Sequence, residues 1–248
     1  MTLDEYERIQ PHAEIDGMHF FTPNKHVAWR IETLYTKEPD TIEWLQGMEK
    51  GATLFDIGAN IGQYTVFAAY HGLKVHAFEP ESQNFALLNR NIALNRLENV
   101  TAWPFCLDIQ TKIAPLHLSS LIAGGSCHAF DKNLDFRGET KDFPHKQGSI
   151  SIAMDAFADQ FGFPDYIKID VDGFEHRVCG GAHRCLTHAR SVLVEINTHY
   201  PEHMTLAERL QSDYGFHIDQ AQIDAAQRTE GTFAGVGNWI FFKGDTWR

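Results

Sequence analysis

The stretch TLFDIGANIGQYTVFAAYHGLKVHAFEP at residues 53–80 constrains this chain most: an apolar strand, a glycine turn, a helix and a second strand ending in an acid. Thr53 to Ile57 is a short apolar run with β-branched members bounded by Gly58, the pattern of a parallel strand buried on both faces. Gly58 and Gly62 remove side chains where the backbone turns sharply. The helix starting near Ile61 points free N–H groups into the same crevice. About twenty residues after Gly58, Glu79 takes the position at which an acid in such folds accepts hydrogen bonds from ribose hydroxyls.

A strand, a glycine turn and a helix also occur in α/β proteins that bind nothing there, so the polar residues of the turn decide the ligand. The pattern D-x-G-x-N-x-G lacks the G-x-G-x-x-G spacing that seats a pyrophosphate on a helix N-terminus. Asp56 at the start of the turn repels a diphosphate and attracts an ammonium group such as the amino acid end of S-adenosylmethionine. A methyl donor therefore fits this turn better than NAD.

With 248 residues, 43% hydrophobic and 22% charged, the chain can bury a sizeable core, and no linker divides it. Residues 51–248 read as one domain, with residues 1–50 as a cap over the active-site side or an oligomer contact such as that of a homodimer. The cap carries Tyr6, Phe20, Phe21, Trp29, Tyr35 and Trp44 without a clean period. A net charge of −12 disfavours nucleic acid and anionic membranes as partners and favours a small or neutral acceptor. MTLDEYERIQ is polar and slightly acidic, and no apolar run is long enough to span a bilayer, which predicts a cytoplasmic protein. Cys106, Cys127, Cys179 and Cys185 lack C-x-x-C spacing and read as free thiols. The groupings His176/His183/His188 and His199/His203 lack the partners of a zinc motif, and Pro201 predicts a turn within the second.

The remainder alternates in the βα manner. A helix over 82–95 capped by Ser82, strands at 100–107, 166–171, 191–197, 216–222 and 238–243, and helices near 155–162, 175–188 and 204–213 predict a doubly wound α/β sheet. The last two strands, joined by a polar loop, predict an antiparallel pair at one edge. Residues 119–149, rich in Gly, Ser, His and charge, read as a long irregular insertion that serves as a lid.

A second constellation is DYIKIDVDGFE at 165–175. Residues i and i+2 of a strand share a face, so Asp170 and Asp172 project together at the carboxyl end, beside the crevice where open α/β sheets bind ligands. Close acids either share a proton, which makes one a usable base, or hold a divalent cation such as magnesium through hard oxygen ligands. Alternatively, Asp172 caps the helix beginning near Phe174 and only Asp170 faces the ligand; Lys168, on the same face, is placed to neutralise the pair. Glu195 and Asn197 end the next strand, SVLVEIN, and His199 follows as a second candidate base or a solvated loop residue.

LFDIGANIGQYTVFAA, KVHAFEPESQNFALLNRNIALN and DYIKIDVDGFE followed by VLVEIN, in that order and at these distances, resemble the FkbM family of S-adenosylmethionine-dependent methyltransferases over roughly residues 50–245. The resemblance implies a class I methyltransferase (Rossmann-like) fold with a seven-stranded sheet of order 3-2-1-4-5-7-6. It further implies methyl transfer to a hydroxyl, often on a sugar or polyketide. Carried over by position, Asp56, Gly58, Asn60 and Gly62 surround the methionine part of the donor, Glu79 takes the ribose and Asp108 contacts adenine. Asp170 and Asp172 then lie by the transferred methyl. The family pattern K-I-D-V-E-G has Glu where this chain has Asp172, a shorter acid. Two other classes share the architecture: an NAD-linked oxidoreductase acting on a nucleotide sugar or small alcohol, and a non-catalytic S-adenosylmethionine-binding module. The first calls for a third glycine, and the second has no need of acids at 170 and 172.

Overall fold

A computed structural model describes Thr2 and residues 12–247, so Tyr6 of the N-terminal segment lies outside the described residues. The strand Thr53–Ile57 (β3) is central because its neighbours bury both faces: Leu54 packs into one core, and Phe55 and Ile57 into another. Beside it run Lys74–Phe78 (β4) and Tyr166–Ile169 (β10), both parallel. Val100–Trp103 (β5) extends one side, and Ser191–Asn197 (β11), Val236–Phe242 (β13) and His217–Ile218 (β12) extend the other.

From one edge to the other the sheet reads β5-β4-β3-β10-β11-β13-β12. Chain-wide numbers differ from one to seven because a hairpin, His12–Ile15 (β1) with Met18–Phe21 (β2), precedes the sheet and four strands of a second sheet interrupt it. Counted within this sheet alone, the order is 3-2-1-4-5-7-6. The antiparallel strand is not the edge strand. It is β13, whose seven residues are all buried and which needs partners on both sides, while the two-residue β12 takes the edge.

The helices Lys25–Glu32 (α1), Pro39–Gln46 (α2), Gln63–Tyr70 (α3) and Ser82–Leu94 (α4) build one layer with the β1–β2 hairpin. Phe20 and Trp44 of the N-terminal segment are buried in it. Met154–Phe161 (α5), Glu175–Gly180 (α6), His183–His188 (α7) and Pro201–Ser212 (α8) cover the other face. No helix among the described residues is long and apolar enough to cross a membrane.

Several expected elements differ for physical reasons. The strand at 100–107 breaks at Pro104: β5 stays in the main sheet and Cys106–Leu107 (β6) joins the second. The 119–149 insertion is not irregular throughout, because Ala129–Phe130 (β8) and the first residues of His145–Ile152 (β9) pair with Lys112–Leu118 (β7). The expected helix over 175–188 is two helices separated at Gly181 and Ala182, and Gly181 lies so close to the chain at Asp108 that a Cβ there would fall 2.3 Å from the Asp108 carbonyl oxygen. The 216–222 strand shortens to β12 because Asp219 caps a helix, Gln220–Ala226 (α9), through the N–H groups of Ala221 and Gln222. Pro201 starts α8 at a position where a missing N–H costs nothing, and so marks a helix start rather than a turn. Ser82 does not cap α4; the Glu81 carboxylate does.

Candidate active site

The register Asp56↔Lys168 and Ile57↔Ile169 sets the turn after β3 against the turn after β10. Gly58 has φ 80°, and a Cβ there would fall 1.8 Å from the Asp170 carbonyl oxygen, so only glycine lets the two turns touch. The Gly58 and Ala59 N–H groups both donate to Phe78 O, which closes the turn onto β4. Glu79, 5% exposed, accepts from Asn60 N–H at Oε2 and from Glu81 N–H at Oε1, each at 2.8 Å. Burial pushes its carboxyl up to about 8, with the two N–H donors pulling the other way.

These residues open into a cavity of about 520 Å³ between the main sheet and the small second sheet. Gly58, Asn60, Glu79 and Asp108 line it, with Phe78, Phe105 and Leu107 as apolar walls. Asp108 is tied by both oxygens to Arg177, Oδ1 to Nε at 2.8 Å and Oδ2 to Nη2 at 2.5 Å, and the pair reaches the cavity together.

Asp170, Asp172 and Glu195 line the same cavity. They sit at the carboxyl ends of the adjacent parallel strands β10 and β11, and one oxygen from each lies within 4.8 Å of the others. Lys168 Nζ stands 3.3 Å from Asp170 Oδ2, and Arg228 Nη1 stands 3.5 Å from Glu195 Oε1. Among the described residues no cation stands at this range from Asp172; its Oδ2 accepts from Cys127 N–H at 2.6 Å. Burial, then the neighbouring Asp170, pushes Asp172 up to about 6 and Glu195 well above the ordinary carboxylate range. Three carboxylates are also a set of hard oxygen donors that could hold one divalent cation. Asp172 does not cap α6, which carries no side-chain cap; it sits at φ 56°, a left-handed conformation that Asp tolerates better than most residues.

Three expected site residues stand elsewhere. Asp56 does not line the cavity: it is buried beside α3, where Thr65 Oγ1 donates to its Oδ2 at 2.6 Å. The ammonium it faces is that of Lys168, 3.7 Å from Oδ1. Gly62, at φ 84°, is a packing position, since a Cβ there would lie 2.4 Å from Leu88 Cδ1. His199 does not line the cavity; its N–H donates to Asn197 Oδ1 and its ring lies against Gly235.

The histidine that matters to the site is His203, which is buried and does not line the cavity. Its Nδ1 accepts from Asn197 N–H, and its Nε2 faces Glu175 Oε2 at 3.0 Å. The same Glu175 carboxylate accepts from Val171 and Gly173 N–H, gripping the turn that presents Asp172. Both side chains are buried, so Glu175→Ala is expected to cost about 3–5 kcal/mol, the effect of stripping one partner from a buried pair. Urea unfolding checks this, and a loss under about 1 kcal/mol would mean the turn holds itself.

Neither did the sequence single out Asn84. Gly125 O accepts from both Asn60 Nδ2 and Asn84 Nδ2, and Gly124 N–H donates to Asn84 Oδ1. With Cys127 N–H on Asp172, residues 124–127 thus link Asn60 and Asn84 to Asp172.

A family model described as the methyltransferase FkbM domain matches residues 56–218. Among curated proteins, 31-O-demethyl-FK506 methyltransferase FkbM from Streptomyces tacrolimicus is 42% identical over 52 residues. That stretch spans 20% of this chain and 20% of that relative. A candidate methyltransferase from Streptococcus mutans, solved in complex with SAH, superposes with a TM-score of 0.50 at 9% identity, covering 82% of this chain and 96% of its own. Magnesium protoporphyrin IX methyltransferase from Synechocystis PCC 6803, solved with bound SAM, has a TM-score of 0.48 at 13% identity, with 97% and 90% covered. At such identities the first of these structures bears on the fold alone.

Proposed function

The chain belongs to the methyltransferase FkbM domain family, with S-adenosylmethionine as its cofactor, and on that premise we propose that it methylates a hydroxyl oxygen of a sugar or secondary metabolite. The observation that carries this reading is that one cavity joins Glu79 to the three acids at 170, 172 and 195.

The residues around Glu79 fit the donor. Each Glu79 oxygen spends one lone pair on a backbone N–H and keeps another for a ribose hydroxyl. Gly58 and Asn60 would border the methionine part, and the Asp108–Arg177 pair would meet the adenine edge beside Phe105. When bound, S-adenosylmethionine supplies a methyl group already activated by sulfonium charge. The protein then has to align the acceptor and take one proton. Asp172 suits the proton transfer, because Oδ2 is held by Cys127 N–H, Oδ1 is the oxygen that takes the hydroxyl proton, and no cation among the described residues is ion-paired with the carboxylate. Asp170, paired with Lys168, and Glu195, paired with Arg228, orient the hydroxyl. A net charge of −12 and this acid cluster favour a small-molecule or glycan acceptor over nucleic acid.

Glu79→Gln tests the donor site. It is expected to weaken S-adenosylhomocysteine binding by about 10–100-fold, matching about 1.5–3 kcal/mol for hydrogen bonds to a charged group. Because a ribose hydroxyl donates to the ionised form, wild-type affinity should rise with pH through about 8 and the Gln variant should lose that rise. Unchanged affinity in the variant would remove Glu79 from the donor site.

A further inference from the structure

Six cavity-lining residues lie outside the stretch 56–218 that the family shares: His26, Trp29, Arg30, Lys37, Arg228 and Phe233. Two of them are large aromatics left open to solvent, Trp29 at 44% and Phe233 at 37%. An exposed indole and an exposed phenyl in the wall of one cavity offer apolar surface to whatever enters it.

Both rings are held in place. Trp29 stacks on His26 with centroids 6.0 Å apart and planes 24° from parallel, and the next residue, Arg30, donates from Nε to Gly124 O. Phe233 packs on Phe136 at 4.8 Å and under the Arg228 guanidinium at 5.7 Å; that guanidinium reaches Glu195. The rings are therefore fixed by separate segments that each connect to the acid cluster, one through residues 124–127 and the other through Arg228.

The cations among these six residues have protein partners, Arg30 through its Nε on Gly124 O. Lys37 Nζ pairs with Glu38 at 2.6 Å, and Arg228 is shared between Glu38 and Glu195. An anionic acceptor would meet the carboxylates at 170, 172 and 195, where Lys168 and Arg228 are already paired with Asp170 and Glu195. A neutral ring with an apolar C–H face and hydroxyls around its edge meets what it needs, since the aromatics take the face and the acids accept from the hydroxyls.

We infer that Trp29 and Phe233 form the acceptor wall of this site and that the acceptor it selects is a neutral pyranose ring, an inference that rests on the methyltransferase reading above. The N-terminal segment and the loop before β13 then set which hydroxyl compound is methylated, while residues 56–218 supply the donor site and the acids.

The test uses the full chain loaded with S-adenosylhomocysteine and probes methyl α-D-mannopyranoside, methyl β-D-glucopyranoside, glucose 6-phosphate and catechol by saturation-transfer NMR. Neutral pyranosides are expected to bind, and Trp29→Ala and Phe233→Ala each to weaken them about threefold to tenfold, the worth of one ring contact. Trp29→Phe should stay within about twofold of wild type, and S-adenosylhomocysteine affinity should stay within about twofold throughout, because Gly58, Asn60 and Glu79 belong to a different segment from either ring. Three results would overturn the inference: no pyranoside binding, a preference for glucose 6-phosphate or catechol, or pyranoside binding indifferent to both alanines. Wild-type protein that fails to take up S-adenosylhomocysteine would overturn the methyltransferase reading itself, and this inference with it.

Discussion

Asp172→Asn is expected to lower kcat by about 10²–10⁴-fold, the usual worth of a positioned general base, while S-adenosylhomocysteine affinity stays within about twofold. The amide keeps the shape of the carboxylate and one oxygen for Cys127 N–H, so the turn survives and only the proton acceptor is lost. The wild-type profile carries the companion signature. A base pushed up to about 6 must be ionised to work, so kcat should climb with pH through about 6 and level off above it, and the variant should lack that limb. Turnover within about tenfold of wild type would take Asp172 out of the proton transfer. A limb that persisted in Asp172→Asn and vanished in Glu195→Gln would move the role to Glu195.

Gly58→Ala should be nearly as damaging, by another route. The new Cβ would sit 1.8 Å from the Asp170 carbonyl oxygen at a φ of 80°. Left-handed backbone costs a residue with a Cβ about 1–2 kcal/mol, and forcing an atom into packed structure typically costs about 1–3 kcal/mol more. That oxygen has little room to yield, because Asp170 N–H is bonded to Ile57 O and the strands on either side are in register. We expect a loss of about 2–5 kcal/mol in urea unfolding together with weakened donor binding, since the displaced turn carries Asn60 and its bond to Glu79. Gly148→Ala is the control: a Cβ there meets open space, and its effect should stay within about 0.5 kcal/mol. Equal stability of the two variants would show that the turns after β3 and β10 are not locked together.

These two sites show what a linear reading of this chain reaches. Asp170, Asp172 and Glu195 were legible because strand alternation and the carboxyl-end rule act within short segments. Their mutual approach then follows from β10 and β11 being neighbours. Asp56 shows the limit. Its environment is set by Lys168, more than a hundred residues away and visible only once the register of β3 and β10 is known. His203 and Glu175 were missed for the same reason, because each gains its role from a buried contact between α6 and α8 that no local pattern announces. Pro201 misled because a proline serves equally at a turn and at the first position of a helix. The 119–149 insertion hid its strands because β8 is two residues long and β9 follows a run rich in loop-forming residues.

The central claim is that the cavity bordered by Gly58, Asn60 and Glu79 takes the nucleoside of a methyl donor. Calorimetric titration of the wild-type protein with S-adenosylhomocysteine, run beside NAD, tests it most directly. Saturable one-to-one binding of S-adenosylhomocysteine with no heat from NAD is the expected result. Binding of NAD in its place, or no binding of S-adenosylhomocysteine at any accessible concentration, would contradict the account.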